Sequence, residues 1–283
     1  MDVEESVWLG VDNERFVFTI QPESRYVYVY SEERQRVKKY ALNFPILKFQ
    51  KNFLQDCAWV NANEKLYISG GLLSDGTLSN EFLVYDNSDN SITIMSNLSE
   101  KRANHSMFFY DKNIYILGGQ STITTEIFNI PSNTITSKQN LNYKVVDNAV
   151  VWIHGGFIYS FFGIKDGVSV DFVQRANLKL EILMWEKVPY KKSEDIACNL
   201  IGSGIIPCGI SEIYFFGGKN ETGPTNQSII FNFETKEFSD AGVPLEQGQF
   251  FKDTRFIELG NETFGQFSLT EFDNFLKINV SYA

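Results

Sequence analysis

Apolar and polar positions along this chain fall into a phrase that returns. It reads Lys65-Leu66-Tyr67-Ile68-Ser69-Gly70-Gly71, then Asn113-Ile114-Tyr115-Ile116-Leu117-Gly118-Gly119. It returns as Phe157-Ile158-Tyr159-Ser160-Phe161-Phe162-Gly163 and as Glu212-Ile213-Tyr214-Phe215-Phe216-Gly217-Gly218. Each copy sets an apolar-Tyr pair ahead of a short run of β-formers and a glycine stop. The last glycines stand at 71, 119, 163 and 218, so the spacings are 48, 44 and 55 residues. A period near 50 is too long for helical or leucine-rich repeats and matches four-stranded propeller blades. No run of ten residues carries apolar positions at helical spacing.

Strands flank each phrase in a constant order. The clearest unit spans residues 105–139. There Ser106–Tyr110, the turn Asp111-Lys112-Asn113 and Ile114–Gly118 predict a hairpin, followed by strands over Thr125–Ile130 and Thr134–Ser137. The unit at 57–98 predicts strands at Cys57–Ala62, Leu66–Gly70, Glu81–Tyr85 and Ser91–Met95. A degenerate first unit, 7–49, has Val7–Val11, Arg15–Ile20, Arg25–Tyr30 and Val37–Leu42. The fourth unit covers 149–189, with a loop at Lys165-Asp166-Gly167. The fifth covers 198–241, where Gly202–Ser211 reads as an insertion that lengthens the spacing. The sixth, 250–283, has strands at Arg255–Leu259, Glu262–Leu269 and Phe275–Val280 and no fourth. Ring closure then needs Met1–Ser6 to complete the sixth unit, or that unit has three strands. The abrupt ends predict a chain that is part of a longer protein or complex. No linker or shift in composition divides the six units, so residues 1–283 read as one closed all-β domain.

The physical logic of a blade accounts for the pattern. Its inner strands are covered on both faces, so they are apolar throughout rather than alternating. A glycine at the strand end admits positive φ or close backbone approach. The recurrent Tyr is expected between blades, with its hydroxyl on a polar partner.

Composition narrows the function. Apolar residues make up 43% and aromatics 15%, with 25 Phe and 13 Tyr, enough for a large core and weighted toward strands. The net charge of −10 argues against nucleic acid, which calls for a basic face. Three widely spaced cysteines, Cys57, Cys198 and Cys208, form no CxxC pair and predict a reduced, intracellular (cytoplasmic) chain with inert buried thiols. The acidic start Met1-Asp2-Val3-Glu4-Glu5 has no signal-peptide character. The longest apolar stretch, Ala149–Ile164, is too short and too broken to insert in a membrane. The triplets at Asn97, Asn220 and Asn261 then read as chance matches to a glycosylation sequon.

The repeated phrases resemble the kelch repeat family, best across residues 91–119. There Lys101-Arg102-Ala103-Asn104-His105-Ser106 precedes the first strand, and Asn113-Ile114-Tyr115 leads to Gly118-Gly119. The resemblance implies a six-bladed kelch-type β-propeller with four-stranded antiparallel blades. The family's third-strand Tyr-Asp pair is matched by Tyr85-Asp86, and more loosely by Phe128-Asn129 and Phe231-Asn232. Its fourth-strand Trp is matched by Trp185, while Met95 stands there in the second unit. The fourth unit keeps only Gly163 of the glycine pair, and the first and sixth keep neither.

Chemistry is sparse. His105 and His154 are the only histidines, and neither lies in a ligand motif, so no metal site is expected, including the His/Tyr copper site of some kelch-like oxidases. Ser74-Asp75-Gly76-Thr77 lacks the spacing of a sialidase aspartate box. Gly202-Ser203-Gly204 is no phosphate loop. Arg34, Arg36, Lys38 and Lys39 read as the charged edge of an outer strand. No catalytic residue and no cofactor is expected. The resemblance instead implies a partner-recruiting rim built from the loops after the second strands and between blades. Its candidate residues are Arg25, Asp75, Arg102, His105, Tyr143, Asp147, Lys165, Asp166, Tyr190 and Lys219. The function expected is a non-enzymatic module that binds a protein or peptide, as an adaptor, substrate recruiter or cytoskeletal scaffold. The alternative is a small-molecule or sugar-processing enzyme with a carboxylate-lined central pocket.

Overall fold

A computed structural model describes residues 16–21, 26–31, 36–41, 55–73, 75–89, 91–137, 139–145, 151–165, 167–242, 256–258, 263–267 and 275–279. Strands and turns account for all of its regular structure, with no helix among the described residues. The chain is all-β.

The first sheet holds β1 (Phe16–Gln21), β2 (Tyr26–Ser31) and β3 (Arg36–Ala41), in that order. The second is β4 (Ala58–Ala62), β5 (Lys65–Ser69), β6 (Glu81–Asp86) and β7 (Ser91–Asn97). The third is β8 (Ser106–Tyr110), β9 (Asn113–Leu117), β10 (Thr125–Asn129) and β11 (Thr134–Ser137). The fourth is β12 (Val151–His154), β13 (Phe157–Lys165), β14 (Val168–Asn177) and β15 (Trp185–Lys187). Sheets two, three and four are each four-stranded meanders, with neighbours in sequence paired in space. The strands expected at 57–98 and 105–139 fall within two residues of those observed. The expected strand Val7–Val11 and segment Met1–Ser6 lie outside the described residues, as do Arg25, Asp147 and Asp166.

The fifth sheet departs from the expectation twice. Its members are β16 (Lys191–Lys192), β17 (Gly204–Cys208), β18 (Glu212–Phe216), β21 (Ser228–Asn232) and β22 (Glu237–Asp240), in the order β16-β22-β21-β18-β17. A small hairpin of β19 (Lys219–Asn220) and β20 (Gly223–Pro224) sits between β18 and β21. The supposed insertion Gly202–Ser211 is therefore the first strand, β17, with its turn at Gly209-Ile210-Ser211. Ile205 and Ile206 had the β-former character to show this. The segment after Tyr190, expected as a loop between units, carries β16, which adds parallel to β22, with Lys191 beside Glu237 and Lys192 beside Phe238. Two lysines on an exposed edge carry no apolar period from which a strand would be read. The last sheet is β23 (Phe256–Glu258), β24 (Thr263–Phe267) and β25 (Phe275–Asn279).

The chain clusters into two compact units, and the third sheet contributes residues to both. One holds Met1–Ala103, Met107–Ile114 and Phe128–Ile135; the other holds Asn104–Ser106, Tyr115–Ile127 and Thr136–Ala283. In the first unit Phe82 packs on Phe128 at 4.6 Å between centroids, with Tyr67 at 5.9 Å from each. In the second unit sheets four and five bury an aromatic core against one another. Phe161 lies 4.9 Å from Phe215 and 5.1 Å from Phe231, both edge-on, the geometry that ring quadrupoles favour. Tyr159 shows what the recurrent tyrosine does. Its ring is buried, and its hydroxyl accepts from Arg175 Nη1 at 3.4 Å and from Lys236 Nζ at 3.2 Å.

Candidate interaction surface

The glycine stops explain how the loops are held. In the first unit Gly70 and Gly71 take φ values of 59° and 96°. That turn points the Gly71 N–H at the carbonyl of Arg102, 2.8 Å away, while Arg102 N–H donates to Ser79 O at 3.0 Å. Leu72 N–H reaches Gln55 O at 2.7 Å, and Leu98 N–H reaches Asn80 O at 2.7 Å. The loop after β5 is thus laced through its backbone to the segments that lead into β4 and out of β7. Its tip is a turn in which Thr77 N–H and Oγ1 both donate to Asp75 Oδ1, at 2.9 and 2.6 Å. Those two bonds hold the exposed Asp75 carboxyl below its ordinary range.

The second unit repeats the device. Gly118 has φ 60°, and a Cβ there would lie 3.0 Å from the backbone N and O of Val145. Gly119 N–H donates to Val145 O at 2.9 Å, and Leu141 N–H to Ile123 O at 2.8 Å. Buried Gln174 holds the segment from below. Its Oε1 accepts from Asn142 N–H at 3.0 Å, and its Nε2 donates to Tyr143 O at 3.4 Å. Lys219 and Ile201 exchange N–H···O bonds of 2.9 Å in both directions.

Sheet four breaks the rule of a glycine stop. Phe162 occupies the place of the first glycine and keeps its conformation, with φ 62°. Gly163 follows with a Cβ position only 2.5 Å from Lys144 O, so any side chain would collide with backbone. The register shifts between Phe161 and Gly163, and β13 then runs on to Lys165 instead of ending. The β13–β14 hairpin is accordingly longer than its counterparts.

The predicted residues separate into four groups. Asp75 is exposed on a tip. Tyr143 is half-buried, 3.8 Å from the Phe172 ring; Lys219 is half-buried beside Ile201; Lys165 ends β13. Arg102 and His105 have no exposed surface, so their side chains belong to the interior of the fold rather than to a contact surface. Both lead into β8, whose first three residues, Ser106 to Phe108, are themselves buried. Tyr190 is occupied with its own fold. Its hydroxyl donates to Asp171 O at 2.6 Å, its ring meets Phe238 edge-on at 5.1 Å, and burial pushes its phenol well above the usual range. Exposed positions at the glycine ends outside the predicted set include Lys101, Gln120, Ser121, Glu221 and Asn226. They share no motif, only a place in the strand order.

Among the described residues no three His, Cys, Asp or Glu side chains are placed to hold a metal ion. His154 lies flat on Phe233 at 4.3 Å, and burial, then the Lys236 charge, hold its imidazole below the ordinary value. Cys57 and Cys198 are buried free thiols, and burial pushes Cys198 up to about 12. No helix among the described residues is long and apolar enough to cross a membrane.

No family model matches the chain, and no curated protein matches it.

Proposed function

We propose that the six units close into a kelch-type propeller that works as a non-enzymatic interaction module, its glycine-end loops binding a protein or peptide partner. The observation that carries this reading is the backbone lacing of those loops. Gly71 to Arg102, Gly119 to Val145 and Lys219 to Ile201 fix the loops through main-chain bonds, while side chains such as Gln120 and Glu221 are exposed. Rigid scaffolds that present exposed side chains on loops are suited to recognition. The recurrent phrase at a period near 50 supports the radial arrangement. The buried thiols of Cys57 and Cys198 fit a reducing, intracellular setting.

The test is a chain carrying Lys101→Glu, Gln120→Glu and Glu221→Lys, all exposed positions. Cross-linking and mass spectrometry should show that partners captured by the unaltered chain are lost, with the thermal midpoint unchanged. Equal capture by both proteins would sink the reading.

A further inference from the structure

The loop that joins β14 to β15 is longer than its counterparts and unlike them in character. It spans residues 178–184, where the matching loops of sheets two, three and five span 87–90, 130–133 and 233–236. It stands at the end of sheet four away from Gly163, because Asn177 is paired with Phe157 at the start of β13. Its base is fixed. Leu178 N–H donates to Gly156 O at 3.0 Å, Lys179 N–H donates to Asn177 Oδ1 at 2.9 Å, and Leu183 is buried. The Lys179 stem lies over the Gly155-Gly156 turn, 2.9 Å from where a Cβ on Gly156 would sit.

What the loop presents is apolar. Leu180, Ile182 and Met184 are 55%, 63% and 63% exposed, half of the six large apolar side chains left exposed among the described residues. They stand two positions apart, with Leu183 turned inward between the last two. An exposed apolar strip on a fixed loop marks a contact surface. Charge says what covers it. The whole chain carries −10, which sets like copies against one another. Residues 178–187 are neutral, because Lys179, Glu181, Glu186 and Lys187 cancel. Lys179 and Glu181, both exposed, stand on either side of Leu180 and are opposite in sign. Two antiparallel copies of the loop therefore set each Lys179 against the other's Glu181, with the apolar side chains between. A bilayer fits less well, since the charges interleaved with the apolar positions would have to leave water with them.

We propose that this loop is a self-association surface, on which a second copy of the chain docks about a two-fold axis. A standard interface takes about 800 Å² from each partner, and one short strip supplies only part of that. The pair is therefore weak, with a Kd of about 10–100 μM, and it forms where the chain is concentrated. Pairing at this end leaves the Gly163 end of sheet four uncovered in both copies. It does not depend on what the glycine-end loops bind.

Sedimentation velocity of the full chain from about 5 to about 500 μM should show a monomer passing into a dimer. Ile182→Glu brings like charges together near the axis and should weaken the dimer about tenfold, with the thermal midpoint unchanged. Ile182→Ser should act in the same direction, and it decides the matter if the glutamate variant fails to fold. Lys179→Glu and Glu181→Lys should each weaken the dimer about fivefold, and the two together should restore it. A chain that stays monomeric throughout would overturn the proposal. So would a dimer indifferent to both Ile182 variants, which would be held elsewhere, or a double charge swap that fails to restore pairing. Uptake of a monomer by phosphatidylcholine vesicles, lost in Ile182→Ser, would overturn it in favour of a lipid surface.

Discussion

Phe162 is the residue at which the repeat and the core disagree. Its left-handed backbone costs a side chain about 1–2 kcal/mol, while its ring lies 5.4 Å from Phe215 with no exposed surface. Deleting a buried Phe costs about 3–5 kcal/mol. The ring wins, so Phe162→Gly should destabilise the chain. Phe162→Ala should be worse than Phe162→Gly by about 1 kcal/mol, since Ala loses the ring and keeps the strain. Urea midpoints of the two variants check the order. His154 gives a dependence on pH. Its folded-state pKa is depressed, so the unfolded chain takes up the proton first. Stability should be flat above the ordinary histidine value of about 6.5 and fall as pH drops through it. His154→Phe, which keeps a ring against Phe233, should flatten that fall in thermal midpoints between neutral and mildly acid buffer. The phrase at 157–163 made Gly163 legible from sequence, and Phe162 was legible as its neighbour. Nothing in the letters said that a phenylalanine would hold a glycine's conformation, because that depends on how well its ring is buried.

Strands were read well where both faces are covered and poorly where one edge meets water. β9 and β18, with runs such as Ile-Tyr-Ile-Leu and Ile-Tyr-Phe-Phe, carry their burial in their letters. β16 does not, because Lys191 and Lys192 are held by backbone bonds and by what surrounds them. Lys192 Nζ spans Asp171 at 3.2 Å and Ile196 O at 3.1 Å, and Tyr190 anchors the near end. Tyr190→Phe should cost about 1 kcal/mol, the net worth of one hydrogen bond, and raise amide exchange at Lys191. An unchanged exchange rate at Lys191 would show that the hydroxyl does not hold the strand. The candidate surface was legible as a set of loops but not as side chains. Arg102 and His105 look polar and loop-like in sequence, yet they lead into the buried start of β8 and are buried with it.

For the whole molecule, the pattern of glycine stops conveyed an all-β chain of repeated sheets, and the aromatic count conveyed where its cohesion lies. Sheets four and five share Phe161, Phe215, Phe231, Phe233 and Phe238, while Tyr67, Phe82 and Phe128 pack together in the first unit. Phe161→Ala should be among the most damaging single changes, at about 3–5 kcal/mol. Its effect on hydrogen exchange should concentrate in the second unit. Loss of protection spread evenly over both units would show that the cores are not separate in energy. The parallel strand β16 has one more consequence, for synthesis on the ribosome. Lys191 and Lys192 emerge before every other strand of their sheet, yet their hydrogen-bonding partner β22 is the last to be made. That sheet must therefore grow from its β17–β18 hairpin toward β22, and its oldest segment waits longest for its neighbour.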